Sequence, residues 1–193
     1  MIVTLAVEGH TDASVLRRVL DHAGLSVGPV YVTQGKAALD RNLLGYNEAA
    51  RFKPWLAVRD LNSDEGCAPE LARRLLPSPA PHMRLRIAVR AVEAWLLADD
   101  EAAGRFLGVA RSVIPRDPEN LINPKLILVN LARRSRRRAI RDSLVPRVGT
   151  SAIVGPGYTS SIIEFARDVW RPEAAAVRSQ SLARLLRVLR SWT

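Results

Sequence analysis

At 193 residues and 21.3 kDa the chain is long enough to bury roughly 70% of its unfolded surface, so a core needs no disulfide or structural metal. With 48% hydrophobic and 25% charged residues and a mean hydropathy of −0.01, it is excluded from the class of disordered tails, and no apolar run nears the ~20 residues of a membrane span. The formal charge of +10 lies wholly in the second half: residues 1–100 hold 12 basic and 12 acidic side chains, residues 101–193 hold 17 and 7.

Such asymmetry reads as a neutral chemistry module beside a polyanion-holding surface, and nucleic acid is the partner it points to. The competing reading is compositional. Of the 29 basic residues 26 are Arg, and Ala is equally frequent, as a GC-rich genome produces. The opening Ile2-Val3-Thr4-Leu5-Ala6-Val7 is too short for a signal peptide and has no basic flank. A single Cys67 excludes an internal disulfide and a cysteine-rich zinc site and suits a reducing cytosol. The expectation is a globular, cytoplasmic protein with no membrane segment.

In chain order, residues 2–7 read as a buried strand, followed by the loop Glu8-Gly9-His10-Thr11-Asp12. A helix is predicted over 12–23, with Val15, Leu16, Val19 and Leu20 on one face and Gly24 as its stop. A second strand covers 28–33 and a helix 36–50; a third strand starts at Trp55 and ends at Asp60. A short helix over 69–76 stops at the proline-rich 77–81, and a fourth strand, 85–89, runs into a helix over 91–99. Strands alternating with helices indicate an α/β fold, a parallel sheet covered by helices. Beyond 101 no strand is predicted, only helices over 121–134, 161–170 and 179–191. The expected division is a core over 1–105 and a basic C-terminal helical extension over 106–193.

Ligands collect at the carboxyl ends of parallel strands. Glu8 and Asp12 fall there after the first strand, and Asp60, Asn62 and Asp64 after the third. Hard oxygen ligands from two adjacent strand ends suit Mg²⁺ or Mn²⁺. Each group also has a plain structural use: Thr11 or Asp12 as a helix cap, and residues 60–66 as an Asx-rich turn. An EF-hand is ruled out, because the glycine is one position late and the twelfth residue is Leu71. Glu93 and Asp99, at the end of strand four, form a second tier able to bridge a second metal; the alternative for Glu93 is an exposed helix face. Lys36, after Gly35, either touches phosphate or caps the sheet. His10, His22 and His82 show no ligand spacing, Gly155-Pro156-Gly157-Tyr158-Thr159 lacks the lysine of a P-loop, and Ser161 with Glu164 reads as a capping box.

The pattern Val7-Glu8-Gly9-His10-Thr11-Asp12 after a first strand, with Val58-Arg59-Asp60-Leu61-Asn62 after a third, resembles the Toprim domain of topoisomerases, bacterial primases, small RNA maturases and OLD-type nucleases. With Gly35-Lys36, Val92-Glu93-Ala94-Trp95-Leu96-Leu97-Ala98-Asp99, Asn123-Pro124-Lys125 and the 179–186 stretch, nearly the whole chain resembles stand-alone Toprim-like bacterial proteins, often encoded beside ATPases. The resemblance implies two-metal phosphodiester chemistry, with Glu8 as acid or base, Asp12 as the second acidic position of the OLD-type motif and Asp60 as the first aspartate. The second aspartate is Asn62 here, one negative charge fewer, with Asp64 nearby as a substitute. Arg133, Arg134, Arg136, Arg137, Arg138 and Arg141 form the densest charge and are expected to grip a phosphate backbone, a solvated helix being the alternative. The chain thus reads as a Mg²⁺- or Mn²⁺-dependent Toprim nuclease, possible effector of an ATPase-associated phage-defence system. The alternatives are an RNA-maturing Toprim endonuclease and a non-catalytic nucleic-acid-binding or ATPase-partner subunit with a vestigial metal site.

Overall fold

A computed structural model of the chain describes residues 1–62 and 67–192. Its first half runs β1 (Ile2–Val7), α1 (His10–His22), β2 (Ser26–Val32), α2 (Lys36–Ala49), β3 (Trp55–Asp60), α3 (Ala68–Leu75), β4 (Met83–Ala88) and α4 (Val92–Ala98). Then come α5 (Asp100–Leu107), α6 (Pro124–Arg133), α7 (Arg138–Leu144), α8 (Tyr158–Asp168), α9 (Pro172–Ala176) and α10 (Gln180–Leu189). The strands form one parallel sheet in the order β2-β1-β3-β4. This is the expected α/β fold, a parallel sheet covered by helices. No described helix is long and apolar enough to cross a membrane.

β1 is central and buried from Val3 to Val7, as a parallel strand covered on both faces requires. Leu5 pairs with Leu56 and Ala6 with Ala57. Alternation sends Val3, Leu5, Val7, Leu56 and Val58 into a core with α1 and α4, and Ala6, Trp55, Ala57, Leu85 and Ile87 into a second core under α2 and α3. β2 is an edge strand in which Gly28 and Pro29 together oppose Thr4, a bulge that tolerates a proline without an N–H. At Gly28 a Cβ would lie 2.9 Å from Ile2 Cγ2 and 3.3 Å from the Val3 carbonyl, so a larger residue would push the exposed Ile2 side chain aside.

α4 is buried at every residue and is packed by α1, α5, α6 and α9. Trp95 donates from Nε1 to Ser181 Oγ (2.7 Å), and its carbonyl accepts from Trp170 Nε1 (3.1 Å). Ser181 sits in the first turn of α10, where Glu119 accepts from Ser179 Oγ at 2.6 Å and from the Ser181 N–H at 2.9 Å. Phe106 stacks on Phe165 at 4.4 Å. The residues after 105 therefore share one core with β1, α1 and α4.

Three short helices escape the sequence pattern: α5, α7 and α9. α8 begins at Tyr158, three residues before the expected capping box, so Ser161 lies inside the helix and bonds Ser143 Oγ at 2.7 Å. Asp99 caps α5 by accepting from the Ala102 N–H (3.1 Å) and takes Arg171 through its N–H, Nε and Nη2 at 3.1, 2.9 and 2.7 Å. Burial would raise its carboxyl pKa, but the Arg171 bonds outweigh that and hold it below the usual carboxylate range. Asp99 is thus a joint between α5 and the start of α9 and does not line the acidic cleft at the strand ends.

Asp99→Ala strands the Arg171 donors and removes the α5 cap, so it should cost about 2–4 kcal/mol, roughly 5–15 °C in melting temperature at neutral pH. Because the folded pKa lies below the unfolded 3.8, this contribution is present above that value and fades as the pH falls through the folded pKa. Thermal melts of both proteins should therefore keep a constant gap from pH 7 down to about pH 4 and show that gap narrowing below it.

Candidate functional site

Glu8 directly follows β1, Gly9 and His10 open α1, Asp12 lies in its first turn, Asp60 ends β3, and Glu93 is the second residue of α4. With Thr11, Gly35, Lys125 and Thr159 they line one cleft of about 330 Å³. Parallel strands deliver these groups together because each carboxyl end feeds a helix that starts at the same edge. The first turns of α1, α2, α6 and α8 all reach this cleft or its border, so the positive ends of their backbone dipoles face it.

The strand tips are tied by their own carboxylates. Glu8 Oε1 accepts from the Asp60 N–H at 2.8 Å, and Asp60 Oδ1 accepts from the Val92 N–H at 3.2 Å, capping α4. Gly9 leaves room for Asp12, since a Cβ would stand 3.0 Å from Asp12 Oδ2. Beneath them Arg59, 4% exposed, forks onto Asp40 with Nε and Nη2 at 3.2 Å each and donates from Nη1 to the Asp60 carbonyl at 2.7 Å.

Burial pushes the Asp12 carboxyl up to about 7, with the charges of Glu93 and Glu8 adding to the effect. Asp60 is raised well above the ordinary range by burial and then by Asp12, Glu93 and Glu8. Glu8 is raised by burial, against the Asp60 N–H and the nearby Arg59 charge. Buried carboxylates at two neighbouring strand ends, each disfavoured in its charged form, are hard oxygen donors that Mg²⁺ or Mn²⁺ fits. Among the described residues no three acidic or histidine side chains are already grouped as a cage. Glu8, Asp12, Asp60 and Glu93 share a cleft without meeting at one point.

The exposed-face alternative for Glu93 fails: it is 1% exposed, accepts from the Tyr158 hydroxyl at 2.9 Å and pairs with Lys125 at 3.3 Å. Asn62 is not among the cleft-lining residues. It has a φ of 51°, donates from its N–H to the Arg90 carbonyl at 2.7 Å and accepts from Arg90 Nη1 at 3.0 Å. Asparagine is among the few side chains that tolerate that backbone. Asp64 lies outside the described residues. Lys36 opens α2 beside the cleft, and its charge bears on Glu8.

The arginines do not share one helix. Arg133 ends α6, Arg134 is its C-cap, Arg136 and Arg137 lie in the break, and α7 starts at Arg138. Arg141 turns inward to the Ser135 carbonyl, while Arg133, Arg134, Arg136, Arg137 and Arg138 stay exposed. Arg133, Arg138, Arg141 and Arg147 line a second groove of about 700 Å³. One helix links the two places: Lys125 lies in the first turn of α6 and Arg133 at its end, about 12 Å apart at 1.5 Å per residue.

The sequence pattern holds Tyr158, Arg59 and Lys125 only as members of motifs, with no role in the site, and does not mark Asp40 at all. The signals for Lys125 were the Asn123-Pro124-Lys125 stretch and a cation at the start of a helix, where the dipole disfavours it. Compared with protein-family models, with curated proteins and with solved structures, the chain finds no match in any of the three. The Toprim resemblance rests on the motif residues alone.

The raised Asp12 pKa sets a pH dependence. Between the unfolded 3.8 and the folded value of about 7 the folded state holds more protons, so metal-free stability falls as the pH rises through that window. Melting temperature without divalent ions should be several degrees lower at pH 8 than at pH 5. Asp12→Asn should flatten this slope, and Mn²⁺ should restore the wild type at pH 8. A melting temperature indifferent to pH in this range would remove Asp12 from the coupled set.

Proposed function

We propose that the protein is a divalent-metal-dependent phosphodiesterase acting on nucleic acid, a nuclease of Toprim type. The observation that supports it best is the gathering of Glu8, Asp12, Asp60 and Glu93 in one cleft with a lysine. The basic second half supports the polyanionic substrate.

A Mg²⁺ or Mn²⁺ ion held by Glu8, Asp12 and Asp60 would neutralise charge on the scissile phosphate and lower the pKa of an attacking water. The chain's own residues supply the rest. Glu8, anchored through Oε1, accepts the water's proton at Oε2 as the new O–P bond forms, and the departing nucleotide oxygen, released as its bond to phosphorus breaks, takes a proton from solvent. The Lys125 ammonium stays charged, since burial lowers its pKa but Glu93, Asp12 and Asp60 more than offset that. It faces the negative charge that builds on the phosphoryl oxygens. Arg133, Arg138 and Arg141 hold the backbone about 12 Å away, the length of three or four stacked nucleotides of one strand.

A second reading is a non-catalytic nucleic-acid-binding subunit working with a partner ATPase. It is favoured by Asn62 standing where the family carries an aspartate.

Purified protein, with its genomic neighbour ATPase supplied if one exists, should cut DNA or RNA with Mn²⁺ or Mg²⁺ and stop on addition of EDTA. Glu8→Gln should lower cleavage by at least about 100-fold and leave binding intact. Wild-type protein that binds nucleic acid but never cuts it would establish the second reading instead. Replacing Arg133, Arg138 and Arg141 with Ala should weaken binding on every sequence alike. The slope of log affinity against log salt should fall by about 0.7–0.9 for each phosphate no longer neutralised. An unchanged slope would mean that these arginines are only solvated.

A further inference from the structure

We propose that the cleft takes a single divalent ion, because the Lys125 ammonium stands where a second ion would be held. The inference rests on the metal-dependent reading and departs from the two-ion chemistry that the family resemblance implies. Of the four cleft carboxylates, Glu93 alone has a cation in contact among the described residues, with Lys125 Nζ 3.3 Å from Oε1. The Tyr158 hydroxyl donates to that same oxygen at 2.9 Å, and the Tyr158 ring lies 5.7 Å from the ammonium. Lys125 is therefore placed by a buried acid and an aromatic face together.

Its position in the chain argues against accident. Lys125 is the second residue of α6, at a helix end that disfavours positive charge, and no acidic residue of that first turn offsets it. The helix is capped instead by Asn123, which accepts from the Leu126 N–H at 3.0 Å. A local rule is broken here, and the residue that breaks it reaches the cleft.

In two-ion phosphoryl chemistry the ions sit about 3.5–4 Å apart, clamped by carboxylates on both sides. Glu93 would be the carboxylate of the second side, and Lys125 has already neutralised it. Glu8, Asp12 and Asp60 remain, enough for one magnesium-like ion, which binds through one or two carboxylates and keeps its waters. Lys125 then supplies the second positive charge as a fixed point charge.

The test is to count ions on the full chain. Manganese titrated calorimetrically into wild type should saturate at one ion per chain and give the paramagnetic resonance signal of an isolated Mn²⁺. Lys125→Met frees Glu93, so the count should rise to two, with the signal broadened by coupling between neighbouring ions. Lys125→Arg should stay at one. Two ions in the wild type would overturn the single-ion assignment and leave the metal-dependent reading standing. A folded Lys125→Met that still binds only one would do the same. No ion bound by the wild type would overturn both. A wild-type count of two would overturn the assignment even if Lys125→Met does not fold.

Discussion

A helix with no solvent face must find a partner for every polar group inside the protein, and α4 is under that constraint along its whole length. Its apolar residues are satisfied by packing. Its free N-terminal Val92 N–H, which no side chain of its own N-cap Ala91 serves, is taken by Asp60 from the neighbouring strand tip. Its one charge, Glu93, would be costly by several kcal/mol if left alone, and α6 and α8 answer it with Lys125 and Tyr158. Satisfying one buried helix therefore assembles the cleft. The strands bring Glu8 and Asp60 together, and α4 adds the helices of the second half.

The alternation of strand and helix was legible in the first half because each element there carries its own periodicity and its own stop. Gly24 closes α1, Asp60 ends β3, and the prolines after Leu76 end the segment before β4. The helices that escaped have no such punctuation. α5 follows α4 after a single residue, Asp99, whose side chain caps it, so the expected helix over 91–99 ends where α5 begins and no separate start is visible. α7 is hidden in an arginine run whose charge masks its short apolar side, and α9 is only five residues long. The start of α8 was missed because Gly157, its N-cap, makes no side-chain bond, while Ser161 and Glu164 imitate a cap four residues later.

In the cleft, the acidic residues could be read from chain position, since parallel strands direct the residues after their carboxyl ends to one edge. Asp99 carried the same signal as Glu93, an acid just beyond strand four, yet six residues further on it meets Arg171 and not the cleft. The difference depends on where a helix turns, and sequence spacing does not encode that. Lys125 and Tyr158 were out of reach for a simpler reason. Tyr158 bonds Glu93 across 65 positions of chain, and nothing local to either residue announces the other.

That separation bears on how the protein comes into being. Trp95 on α4 is tied to Ser181 across 86 positions, and Ser14 on α1 to the Ile163 carbonyl across 149. At a synthesis rate of about 5–20 residues per second, roughly 5–20 s pass between the appearance of α4 and the residues that cover it. During that interval the sheet has all its strands, while α4 exposes Trp95, Leu96 and Leu97 to the surroundings and Glu93 has no cation. A nascent chain in this state is sticky and has no assembled cleft. The long-range ties that close the core thus put off the covering of α4 until the last helix has docked, and until then the half-made chain carries an exposed apolar surface.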